Sequence, residues 1–357
     1  MRNIYQLKLV LALGLASFFF ILAVVVCFCR RRRPPQPSPA GEKDELEFFY
    51  DEAQGESLTI FPGGQDLTIF DILEAPGEVI GKSNYGTLYK AVLRRSSWVG
   101  LLRFLRPVCA SKFEDFVGAV RLLGDVRHPN LVPLLGFYSG PRGEKLLVHP
   151  FFKRGNLNHF IKDGDLLSHK WAFIYNISVG ISKGLDFLHT AFPSPIIHGN
   201  LKSKNIFLSY ENEPFVSDFG THLLLNPSAA QEMLEVLAVE GYKAPEHMKM
   251  RDANEKTDVY SLGVIFLELL SGKQPVNDNL TPGEESSLLS FMENARFGRR
   301  LSHVYHPGVL LSDGDEAPVS EDRVIRFFEL AMSCCAHSPV RRPNTKQILS
   351  KLQEIGR

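Results

Sequence analysis

His198-Gly199-Asn200-Leu201-Lys202-Ser203-Lys204-Asn205 is the stretch on which the reading of this chain turns. Val216-Ser217-Asp218-Phe219-Gly220 follows it shortly after. Asn205 and Asp218 offer an amide oxygen and a carboxylate, a donor set suited to a hard cation. Asn200 has the shape of an aspartate and holds a hydrogen bond. Its amide takes no proton near neutral pH, so it is no general base.

Working outward, other short motifs stand in a fixed order. Upstream comes Gly81-Lys82-Ser83-Asn84-Tyr85-Gly86, then the apolar run Gly100-Leu101-Leu102-Arg103-Phe104-Leu105. Lys145-Leu146-Leu147-Val148-His149-Pro150-Phe151-Phe152 reads as a strand with a short connection after it. From Trp171 to His189, Ile174, Ile177, Ile181, Leu185 and Leu188 fall at helical spacing, which predicts a long amphipathic helix. Downstream stand Gly241-Tyr242-Lys243-Ala244-Pro245-Glu246, Asp258-Val259-Tyr260-Ser261-Leu262-Gly263 and Arg341-Arg342-Pro343.

Taken together these motifs resemble a protein kinase domain. From Leu58 the text is similar to the lead-in of plant leucine-rich-repeat receptor-like kinases, in particular their inactive members. The resemblance covers roughly residues 58 to 354. It implies an α+β, bilobal protein-kinase-like fold, with a small β-rich lobe and a large helical lobe. Within it, the opening stretch stands where His-Arg-Asp-Leu-x-x-x-Asn is expected. Gly199 replaces the Arg, and Asn200 replaces the Asp that accepts the substrate hydroxyl's proton.

The resemblance assigns the other positions in turn. Gly81, Ser83 and Gly86 form the phosphate loop, with Ser83 in place of the second glycine, where a side chain narrows the backbone's approach to phosphate. Arg103 stands for the strand Lys, although a one-residue shift puts Leu102 there; neither is Lys. Ala119 fills the slot of the helix Glu, with Glu114 too early to serve, so the Lys–Glu pair is absent. His149 guards the adenine pocket or is a satisfied core histidine, and the backbone of Pro150 and Phe152 faces adenine. Asn205 and Asp218 are the magnesium positions. Thr221 and Ser228 are the only hydroxyl residues between Gly220 and Gly241, and no loop Arg awaits a phosphate there. Asp258 is expected to brace the opening stretch, and Arg342 to pair with Glu246.

Leu9 to Cys29 carries no charge and spans roughly 31 Å at about 1.5 Å per residue, the thickness of a bilayer core. Arg30 to Arg33 follow, which predicts a single transmembrane helix with its C-terminal side cytoplasmic, beside anionic lipid. Residues 1–8 are then a short outer tail, too small for a ligand-binding domain. The rival reading is a cleaved signal peptide, but the apolar run is longer than a signal core. Cys27 and Cys29 are either palmitate carriers or small apolar residues of the span. The five cysteines show neither zinc spacing nor a disulfide framework, which places the domain in a reducing compartment. Residues 30–57 read as a basic, then Pro-rich and acidic linker, interrupted by Phe48, Phe49 and Tyr50, and residues 58–357 as the kinase-like domain.

Formal net charge is zero, which gives no argument for a nucleic-acid partner. Two functions follow from the resemblance. One is a membrane-anchored receptor-like pseudokinase at the plasma membrane, binding other receptor-like kinases, with weak ATP and magnesium binding. The other is an active but atypical Ser/Thr kinase. Asn200, Arg103, Ala119 and Ser83 favour the first; Asn205, Asp218, Gly81 and Gly86 favour the second.

Overall fold

The strand β5 (Trp98–Leu105) aims the site, and its alternation explains how. Leu102 points into a small cluster with Ala91, Leu135 and Val148. Leu105 belongs to the opposite, larger core with Phe116, Val120 and Leu147. Side chains two apart share a face, so Arg103 lies on the side of Leu105. This period of two resolves the choice between Leu102 and Arg103 in favour of Arg103.

The computed structural model describes residues 48–51, 56–93, 98–163, 166–276, 287–298, 302, 304–311 and 319–356. The expected span Leu9–Cys29, its arginines and the start of the linker lie outside them. Among the described residues no helix is long and apolar enough to cross a membrane. Strands β1 (Phe48–Asp51) and β2 (Glu56–Ile60) both begin inside the stretch expected as linker, and they pair antiparallel.

With β3 (Gly77–Lys82), β4 (Gly86–Leu93), β6 (Gly136–Ser139) and β7 (Lys145–Pro150) these strands form one antiparallel sheet, in the order β1-β2-β6-β7-β5-β4-β3. A short helix α1 (Ile69–Leu73) precedes β3, and α2 (Phe113–Gly124) follows β5. Phe116 and Val120 of α2 pack into the same core as Leu105, so this helix covers the sheet face that carries Arg103.

The large lobe is helical: α3 (Leu157–Lys162), α4 (Trp171–Thr190), α5 (Pro227–Val239), α6 (Glu255–Ser271), α7 (Leu288–Phe297), α8 (Glu321–Cys334) and α9 (Thr345–Gly356). The predicted face of α4 is fully buried: Ile174, Ile177, Ile181, Leu185 and Leu188 each show 0% exposure. Each such side chain contributes roughly 1.5–3 kcal/mol at most relative to exposure. Helix α6 is buried along almost its whole length, which suits an axis with neighbours on every side. It begins in a capping box between Asn254 and Thr257 and stops at Gly272, whose φ of +68° is left-handed.

A two-stranded hairpin, β8 (Ile206–Leu208) and β9 (Pro214–Val216), leads from Asn205 to Ser217. It folds the two halves of the site onto each other: Ser217 donates N–H and Oγ to the Asn205 carbonyl at 2.8 and 2.9 Å. Arg342 pairs with Glu246 as expected, with Nη1 and Nη2 at 2.5 and 2.8 Å, and also reaches the carbonyls of Ala336 and Lys256. Burial alone would raise the Glu246 carboxyl, but the hydrogen bonds from Arg342 outweigh it and hold it low.

Candidate functional site

The stretch from His198 to Asn205 is held from below by Asp258 near the start of α6. This buried carboxylate accepts from His198 N at 2.8 Å, Gly199 N at 3.0 Å and His189 Nε2 at 2.9 Å. Burial would raise its pKa; the bond from His189 and the charges around it outweigh that and hold it low.

Gly199 explains its own departure from Arg. Its φ is +72°, and a Cβ there would meet His222 Nδ1 at 2.7 Å. His222 has taken the room, and left-handed backbone disfavours any side chain at that point. Gly199→Arg is therefore expected to lower stability by about 1–3 kcal/mol, read by urea unfolding. A variant as stable as wild type would show that His222 moves away freely.

Asn200 is buried at 2% exposure, so it is set in the wall. Its N–H faces His198 Nδ1 at 3.3 Å, and its carbonyl accepts from Asn205 Nδ2 at 2.8 Å. Its side-chain oxygen has no hydrogen-bond partner among the described residues. This position can hold a hydrogen bond to a hydroxyl and cannot take its proton.

Arg103 crosses from the sheet to the large lobe and forms a short, charge-assisted ion pair with Asp218. Arg103 is buried and Asp218 largely so, with side chains 6% and 11% exposed. Burial disfavours the guanidinium's charge, but the Asp218 carboxylate outweighs it and raises the Arg103 pKa. Asp218 sits at φ +63°, a left-handed conformation held by the turn into Gly220.

Tyr85 closes the same place from above. Ser83 Oγ both accepts from Gly86 N and donates to Gly86 O, each at 3.2 Å, tightening the turn Ser83–Gly86. The turn throws the Tyr85 ring inward, to 7% exposure and 5.9 Å from the Arg103 guanidinium carbon. Burial raises the Tyr85 pKa, the nearby guanidinium opposing it, so its hydroxyl stays neutral at physiological pH. Ser83 therefore does more than narrow the loop: it ties the loop shut with Tyr85 inside.

Ala119 of α2 is half-buried against the main core, and Glu114 is exposed. The partner of Arg103 comes from Asp218 and not from this helix. The donor set expected for magnesium then reads differently. Asn205 still has an amide oxygen to offer, but the Asp218 charge is already balanced by a buried guanidinium. A dication there would meet the guanidinium's repulsion as well as the carboxylate's attraction, and gain far less than at an unpaired carboxylate. These residues do not fit a divalent cation.

On β7, His149 Nδ1–H donates to the Pro133 carbonyl at 2.9 Å. Burial pushes its pKa down to about 4, so it is a neutral, satisfied histidine. Phe152 stacks on Phe207 of β8, with rings 5.5 Å apart and 7° from parallel. Burial likewise pushes His222 down to about 4. In the large lobe, burial pushes the Glu268 carboxyl up to about 7, against bonds from Tyr242 and Ser203.

The signs are opposite. A depressed histidine adds stability that is present above about pH 6.5 and lost as pH falls toward 4. A raised glutamic acid adds stability that is present below about pH 4.5 and lost as pH rises through 7. Between pH 5 and 7, His149→Leu is expected to flatten the acid loss of Tm, and Glu268→Gln to steepen it. Thermal melts across that window check this; curves parallel to wild type for both variants would refute it.

The stretch between Gly220 and Gly241 contributes contacts that no short motif marks. Asn226 caps α5 by accepting from Ala229 N and ties it to the small lobe by donating to the Val108 carbonyl at 2.7 Å. Just past that helix, Glu240 accepts from Lys202 Nζ at 2.6 Å and Lys204 Nζ at 2.7 Å. Burial would raise the Glu240 carboxyl, but the two ammonium groups hold it low. Tyr85 and Glu240 are the residues that motif reading missed. An aromatic inside a turn otherwise built of Ser, Asn and Gly was the available signal for Tyr85.

Residues 75–352 match the family model of the protein kinase domain. The chain is 34% identical over 316 residues to the kinase-like protein TMKL1 of Arabidopsis thaliana, covering 88% of this chain and 46% of that protein. Other relatives include Arabidopsis leucine-rich-repeat receptor-like kinases and inactive receptor kinases. The chain spans about half the length, or less, of the curated relatives it matches. The structure is similar to the maize SIRK1 kinase domain bound to AMP-PNP, with a TM-score of 0.73, 28% identity and coverage of 84% of this chain and all of that one. It is also similar to the pseudokinase domain of BIR2, an immune regulator, with a TM-score of 0.63, 27% identity and coverage of 78% of this chain and 80% of that one.

Proposed function

We propose, from the premise that this chain belongs to the protein kinase domain family, that it is a receptor-like pseudokinase, a binding module that keeps the fold and has lost phosphoryl transfer. One observation carries the reading: Arg103 is ion-paired with Asp218 and lies beside Tyr85, and in this reading the three close the phosphate end of the cleft. Asn200 at the base position supports it independently. Likeness to an inactive receptor kinase and to the BIR2 pseudokinase domain points the same way.

In this reading the Leu9–Cys29 helix anchors the chain in the plasma membrane, with the kinase-like domain cytoplasmic and Arg30–Arg33 on anionic lipid. Other receptor-like kinases are the partners, met as a scaffold or allosteric subunit. ATP binding is weak and contributes nothing to turnover.

The deciding experiment is radiolabelled phosphate transfer by the full chain in detergent, beside Asp218→Ala. Equal background signals from both are expected. Transfer by wild type that disappears in Asp218→Ala would replace this reading with an atypical Ser/Thr kinase.

A further inference from the structure

We propose that Arg103 is the resident cation of the cleft: its guanidinium keeps divalent metal ions off Asp218, so that whatever nucleotide the cleft accepts, it accepts without metal. This deepens the pseudokinase reading and rests on it. A divalent site of this kind needs uncompensated negative charge from its carboxylate. Here Arg103 and Asp218 form a largely buried ion pair whose charges balance. Asn205 adds an uncharged oxygen only, and its amide nitrogen is already committed to the Asn200 carbonyl.

The geometry makes Arg103 hard to displace. Its strand is central in the sheet, between β4 and β7, where Arg103 stands in register with Leu88 and Leu147. Tyr85 lies against its guanidinium, and the Ser83–Gly86 turn holds Tyr85 there. Moving Arg103 aside would leave Asp218 buried without a counter-charge. With Ala119 in the helix slot, the structure provides no carboxylate there to take the arginine instead. In an active kinase the strand lysine pairs with a helix glutamate and the nucleotide phosphates together; among the described residues the carboxylate that pairs with this arginine is Asp218. A planar fork on a carboxylate is also a better-matched pair than an ammonium point charge.

The probe is Mn²⁺, followed by paramagnetic relaxation of water protons on the full chain in detergent, with and without ATP. Wild type is expected to bind no Mn²⁺ at millimolar concentration in either case. The Tm shift produced by ATP, whatever its size, should be the same in magnesium and in EDTA. Arg103→Ala should acquire Mn²⁺ binding at least tenfold tighter than wild type, and Arg103→Ala with Asp218→Asn should lose it. Arg103→Gln, which retains a hydrogen bond to Asp218, serves if Arg103→Ala does not fold. Mn²⁺ binding by wild type that Asp218→Asn removes would overturn the proposal. So would failure of both Arg103 variants to gain any metal, since Arg103 would then not be what excludes it. Phosphate transfer is measured on the same preparations: a metal-binding wild type without transfer sinks this inference alone, whereas transfer sinks the pseudokinase reading itself.

Discussion

The full chain carrying Asn200→Asp alone is expected to transfer no more phosphate than wild type. A restored general base is worth ~10²–10⁴ in rate, but only for a nucleotide already in place. In the proposed reading the phosphate end remains closed by Arg103, Asp218 and Tyr85. Arg103→Lys with Ala119→Glu gives the cation a second partner and frees Asp218. That pair should improve ATP binding more than turnover, because ground-state binding supplies no base. Ser83→Gly removes the hydroxyl that ties the turn to Gly86 and lets Tyr85 leave. The fourfold variant is therefore expected to exceed wild type by at least ~10², in a radiolabelled assay with Asp218→Ala added as the blank. Gly199 stays, since His222 leaves no room for Arg. If Asn200→Asp alone matches the fourfold variant, the ion pair is not a barrier and the account of the closed cleft fails.

Asp258→Ala is expected to be the most damaging single change to the fold. It removes one acceptor from three buried donors: His198 N, Gly199 N and His189 Nε2. An unsatisfied buried donor costs ~1–3 kcal/mol, so the three together cost roughly 3–9 kcal/mol, a large share of the ~5–15 kcal/mol that holds a domain together. Melting should fall by roughly 5–15 °C. Asp258→Asn keeps one acceptor oxygen and should lose roughly half as much, which gives a folded comparator if the alanine variant aggregates. The damage should be structural: the opening stretch loses its floor, so limited proteolysis should cut near Gly199 in the asparagine variant first. A melting curve within about 1 °C of wild type would show that water replaces the carboxylate.

The helix face of α4 was legible because its apolar residues recur at 3.6-residue spacing, and burial follows from that pattern alone. That Asn200 takes no proton near neutral pH is a property of one side chain and needs no tertiary structure. The pairing of Arg342 with Glu246 and the bracing by Asp258 were legible through motif order, since those residues serve the fold wherever it occurs. The choice between Leu102 and Arg103 was not, because a one-residue shift in an apolar run leaves the text almost unchanged while turning every side chain to the other face. The partner of Arg103 was not legible either: Asp218 lies 115 residues away, and only the packed sheet and hairpin bring the two charges together. Tyr85 and Glu240 belong to the same class. Each takes its role from a distant cation, and such pairings are set by the path of the folded chain, which local sequence does not encode.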